Sequence, residues 1–66
     1  MKNNIRVERA ILNLTQEELA KKIGVSRQTI NAMEANKYVP STVLALKIAQ
    51  VFHKPVELIF FLEGNE

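Results

Sequence analysis

An all-α domain of five short helices is what this chain of 66 residues predicts, and three observations carry that expectation. Apolar residues recur at helical spacing, as in Ala45, Ile48, Ala49 and Phe52, the i, i+3, i+4, i+7 stripe of an amphipathic helix. Hydroxyl residues stand at the entrances: Thr15, Ser26 and Ser41 each precede a helical pattern, where a side-chain oxygen accepts from an otherwise unpaired amide. Helix-ending residues stand at the exits, with Gly24 and Asn36 placed for positive φ and Pro40 and Pro55 restricting what precedes them.

The first helix is predicted over residues 5–13, opened by Asn3 or Asn4 and burying Ile5, the stem of Arg9, and Leu12 or Ala10. Leu14 follows as an apolar staple onto the second helix, residues 16–23. There Glu18, three residues after Thr15, completes a capping box, while Leu19, Ala20 and Ile23 share one face and Glu17, Lys21 and Lys22 the other. Ala20 is small where helices cross, so their backbones approach closely. Gly24 ends this helix because glycine takes positive φ without a Cβ clash.

Ser26 opens the third helix, residues 27–35, in which Ile30 and Met33 form the apolar seam. Asn36 tolerates the left-handed conformation expected at its end. Tyr38, Val39 and Pro40 form a loop, and Ser41 caps a fourth helix over residues 42–52, near whose end His53 is expected to satisfy terminal carbonyls. Pro55 fits the first turn of a short fifth helix running to residue 60 or 61. Pairing of residues 1–3 with 61–63 as a two-stranded ribbon stays open as an addition.

A domain this small buries only about 60% of the surface its unfolded chain exposes. Cysteine is absent, which excludes disulfide stapling, and a single histidine excludes an ordinary structural zinc site. Oligomerisation is the remaining staple. Once a core is assigned, Val43, Leu44, Val51, Leu58, Phe61 and Leu62 are left over, and the segment VELIFFL is apolar almost all round. Such a helix must be buried on every side, so a dimer interface is expected about residues 51–63, carried by Val51, Leu58, Phe61 and Leu62.

Charge is distributed unevenly. Residues 1–56 hold all nine Lys and Arg against four acids, a balance of +5, while residues 57–66 hold Glu57, Glu63 and Glu66 and no base. A basic body fits a polyanion partner. No apolar run approaches the roughly 20 residues of a membrane span, so the expected location is the cytoplasm. No Ser-His-Asp or Cys-His set, metal cluster or phosphate-cradling glycine loop is present, which argues against an enzyme. Neither a cofactor nor a small-molecule ligand is expected.

The third helix spends Ile30 and Met33 on the core, which leaves Arg27, Gln28, Asn31 and Ala32 on its other side. Those groups match base edges: arginine pairs with guanine, glutamine or asparagine with adenine, and a methyl with the thymine methyl. Gln16 begins the second helix, whose outward amides and dipole favour a phosphate. Asn36, Lys37, Tyr38 and Ser41 flank the third helix at its far end as a second phosphate clamp.

The run Gln16-Glu17-Glu18-Leu19-Ala20, then residues 24–30 and Met33-Glu34, resembles the helix-turn-helix of the phage lambda repressor and Cro family. The likeness continues through Pro40-Ser41, residues 46–49 and Val56 to Phe60, nearly the whole chain, and is strongest to small stand-alone bacterial and archaeal regulators. It implies a compact five-helix DNA-binding domain, with the helix-turn-helix at residues 16–35. It implies Gln28 on bases, Arg27 on a base or phosphate, Ala32 against a methyl or sugar, and Asn31 on base or backbone. Thr29 is expected to bond chiefly within its own helix turn, though near the duplex backbone. An Arg9–Glu34 ion pair is implied as structural.

The function implied is a transcriptional regulator, most simply a repressor, binding double-stranded DNA at a palindromic operator as a homodimer. An antitoxin or restriction-control regulator, and a protein-interaction module on the same scaffold, remain alternatives.

Overall fold

Helix ends set the path of the chain. The computed structural model describes residues Met1–Glu66, and its elements run β1 (Lys2–Asn3), α1 (Ile5–Leu12), α2 (Gln16–Ile23), α3 (Arg27–Glu34), α4 (Thr42–Phe52), α5 (Val56–Ile59) and β2 (Phe60–Phe61). Thr15 Oγ1 accepts from the Glu18 amide at 3.0 Å while Glu18 returns its carboxylate to the Thr15 amide at 2.9 Å, the full capping box. Ser26 caps α3 through the Thr29 amide and Ser41 caps α4 through the Leu44 amide, each at 3.2 Å.

Four helices end in one way. Asn13, Gly24, Asn36 and His53 all take positive φ, and the next amide in each case reaches back five residues: Leu14 to Arg9, Val25 to Ala20, Lys37 to Ala32, Lys54 to Ala49. That bond satisfies a carbonyl the helix leaves unpaired. At His53 it is the backbone that does so, donating to the Ala49 and Gln50 carbonyls, and the imidazole expected there takes no part.

Ile5, Leu19, Ile30, Met33, Ile48 and Ile59 are fully buried, so every helix supplies at least one side chain to a single core. Each contributes about 1.5–3 kcal/mol relative to exposure. Leu14, expected as a staple onto the second helix, is partly buried against this core.

Two expectations about packing fail for physical reasons. Leu12 and Ala10 are both exposed: Ala10 lies on the face of α1 turned away from buried Ile5, and Leu12, the last residue of α1, lines a surface groove. The second buried position on α1 belongs instead to Glu8, whose carboxylate accepts from Lys54 Nζ at 2.8 Å, between α4 and α5. Leu44, counted among the surplus hydrophobes, is buried with the core.

The fifth helix is also shorter than expected, ending at Ile59 rather than at residue 60 or 61. Phe60 turns to extended backbone and pairs with β1 in an antiparallel ribbon, Lys2 opposite Phe61 and Asn3 opposite Phe60. The ribbon therefore forms, one residue earlier on its C-terminal strand. Asn4 extends it by donating its amide to the Ile59 carbonyl at 2.8 Å. Asn3 fastens β1 further, since its Oδ1 accepts from the Ile5 amide while its Nδ2 donates to the Met33 carbonyl and to Asn36 Oδ1. One side chain thereby opens α1 and closes α3.

Candidate nucleic-acid interface

With α3 advancing about 100° per residue, its buried seam of Ile30 and Met33 places Gln28 almost diametrically opposite. Asn31 and Ala32 flank Gln28 on that outer arc, and Arg27 stands at its edge. Arg27, Gln28 and Asn31 are exposed and Ala32 is half-buried. The first two turns of α3 thus carry a cation and two side-chain amides clear of the core.

Neighbouring groups frame this arc. Gln16 is the first residue of α2, whose first amides have no partner within the helix. Asn36, Lys37, Tyr38 and Ser41 are exposed beyond the end of α3, although Asn36 Oδ1 is taken by Asn3 and Ser41 Oγ by its capping bond. Thr29 Oγ1 bonds Ser26 Oγ at 3.0 Å within the helix turn, as expected. Arg27 and Lys37 form no ion pair and leave positive charge at both ends of the arc.

Behind the arc lies a polar lock. Arg9 donates from Nε to Glu34 Oε2 at 2.6 Å and from a terminal nitrogen to Oε1 at 3.0 Å, a two-point grip, and its third nitrogen bonds the Leu14 carbonyl at 2.8 Å. All three nitrogens of the fork are engaged inside the protein, which fixes α1 against the end of α3 and makes the pair structural. Arg6, almost fully exposed, approaches Glu34 Oε1 at 3.5 Å. Burial pushes the Glu34 carboxyl up, but hydrogen bonds from Arg9, Gln16 and Arg6 and the Arg9 charge outweigh it and hold the group below the usual carboxylate range.

That direction sets an acid dependence. A carboxylate whose folded pKa is depressed adds stability present above its unfolded value, about 4.3, and lost as pH falls through the folded value. Melting temperatures from pH 7 to pH 3 are expected to drop below about pH 4.5, and the drop should be shallower in Glu34→Gln. Parallel curves for the two proteins would show that Glu34 does not carry it.

The family model described as helix-turn-helix matches residues 5–59. The chain belongs to this helix-turn-helix family. It is 58% identical to an uncharacterized HTH-type transcriptional regulator of Methanocaldococcus jannaschii over the whole of both chains. A second of that description, from Archaeoglobus fulgidus, is 50% identical over all of this chain and 93% of its own. The Bacillus subtilis regulator YgzD is 46% identical over 96% of each chain.

The residues expected to join two copies separate into two places. Leu58, Phe61 and Leu62 are exposed along α5 and the ribbon, whereas Val51 is half-buried in a surface groove with Leu12, Leu14 and Ile23. Sequence reasoning missed Val7 and Ile11, more than half exposed on α1. The same helix is tied to the α5 end of the domain, where Asn4 Nδ2 bonds the Leu58 carbonyl and Lys54 donates to Glu8. The signal was an i, i+4 apolar pair in the first helix. No helix is long and apolar enough to cross a membrane.

Proposed function

We propose that this protein is a DNA-binding transcriptional regulator that inserts α3 into the major groove of a palindromic operator as a symmetric homodimer, acting most simply as a repressor by occlusion. The observation that carries the reading is the outer arc of α3, where Arg27, Gln28, Asn31 and Ala32 lie opposite the buried seam. Gln28 and Arg27 address base edges, Ala32 a methyl or sugar, and Asn31 a base or the backbone. The α2 N-terminus at Gln16, with Thr29, Asn36, Lys37, Tyr38 and Ser41, holds the two flanking phosphate backbones.

Size supports the dimer. A protomer measures 33 × 22 × 21 Å, and successive major grooves on one face of DNA are about 34 Å apart, so one copy reaches one groove and two reach adjacent ones. Leu58, Phe61 and Leu62 provide apolar surface for a two-fold contact.

Selection of bound sequences from a random DNA pool tests binding, palindromy and half-site spacing together. A palindrome with half-sites one turn apart is expected, with affinity falling steeply between about 50 and 200 mM salt. A protein-interaction module would select nothing. On the selected site Gln28→Ala is expected to cost about 1–3 kcal/mol and relax preference at one base pair, while Lys37→Ala weakens all sequences alike. Equal losses for both on random DNA would refute that division.

A further inference from the structure

We infer that Asn31 meets the duplex as a hydrogen-bond donor, its amide turned outward by a relay of fixed polarity running from Arg9 through Glu34 and Gln16. This rests on the DNA-binding reading and specifies the chemistry of one of its contacts.

The relay follows from which groups have protons to give. Arg9 only donates, and the ionised Glu34 carboxylate, whose side chain is 1% exposed, only accepts. Gln16 lies 3.2 Å from Glu34 Oε1 and must present its nitrogen there, since its carbonyl oxygen would face an oxygen with no proton between them. The same Nε2 lies 3.3 Å from an Asn31 side-chain atom, so that atom is the acceptor Oδ1. Both Gln16 side-chain protons are thereby used. Asn31 is left with Nδ2 and its two protons on the outer arc, where it forms no bond within the protein.

Two consequences follow. Asn31 is set to take an acceptor of the duplex, whether a base-edge oxygen or N7 or a phosphate oxygen, and not the exocyclic amines of adenine or cytosine. Gln16, its side-chain protons occupied, approaches a phosphate through the backbone amide at the start of α2. The Gln16–Asn31 bond is weak while open to water and strengthens as the docked groove excludes it.

The test measures affinity on the selected operator for the parent, Gln16→Ala, Asn31→Ala, the double variant and Asn31→Asp. Asn31→Ala is expected to weaken the parent about tenfold but the Gln16→Ala background less than about threefold, because an unheld amide is free to turn. Asn31→Asp should bind more weakly than Asn31→Ala, since an outward carboxylate would face an acceptor. Equal losses in both backgrounds, or Asn31→Asp binding better than Asn31→Ala, overturns the inference.

Sequence selection with Asn31→Ala separates the two acceptors. Loss of preference at one base pair supports a base edge, and a uniform loss supports a phosphate. In the free protein, the Gln16 side-chain amide protons should exchange more slowly than those of exposed Gln50. Equal exchange rates count against the relay without reference to DNA. A parent protein that selects no sequence would sink the DNA-binding reading, and the role of Asn31 with it, while slow Gln16 exchange would still stand.

Discussion

Glu34→Ala is expected to cost about 3–5 kcal/mol of folding stability, because it strands a half-buried guanidinium with only the Leu14 carbonyl for company. A domain of 66 residues has roughly 3–10 kcal/mol to lose, so most of the stability goes. The melting temperature should fall by about 15–30 °C, measured by circular dichroism. Failure of this variant to bind DNA would therefore report unfolding first. Replacing both partners, Arg9→Met with Glu34→Leu, removes the stranded charge and should recover most of the loss, since apolar pairs of similar volume often substitute for buried ion pairs without cost. A double variant as unstable as the single one would mean that the two-point grip on α3 is itself indispensable. The recovered double variant also lacks the acceptor that orients Gln16, so its Asn31 contact should behave as it does in Gln16→Ala.

Local chemistry was the legible part of this fold. Thr15, Ser26 and Ser41 cap where hydroxyl placement says they must, because a cap depends on amides at most three residues away. Gly24 and Asn36 announced their positive φ by residue type. His53 did not, since histidine has little preference for that conformation and the returning Lys54 amide imposes it, while Asn13, as permissive as Asn36, was expected inside the first helix and instead ends it. Glu8 was unreadable for a similar reason: a buried glutamate is stable only with its partner, and Lys54 stands 46 residues away. The end of α5 followed the same logic, as Phe60 leaves the helix only because β1 offers it a ladder. At the candidate interface, the outer arc of α3 could be read from the i, i+3 seam alone. The link from Gln16 to Asn31 could not, because it depends on a carboxylate delivered from the far end of α3.

Leu58→Asp combined with Leu62→Asp is expected to yield a folded monomer with operator affinity lowered by about 10²- to 10⁴-fold, the loss that follows when two linked binding events become separate. Both side chains are more than half exposed in the single copy, so neither change opens the core. Fully buried Ile59, next to Leu58, stays in place, and so does the Asn4 bond to the Leu58 backbone carbonyl. The melting curve at high dilution should then match that of the parent, while sedimentation at micromolar concentration separates them. Affinity for an isolated half-site is the deciding control. It should be unchanged, because α3 and the residues proposed to hold the flanking phosphates lie on other elements. Loss of half-site binding would place Leu58 and Leu62 in the DNA contact itself. A parent that already sediments as a monomer would remove the two-fold arrangement and leave one recognition helix per operator.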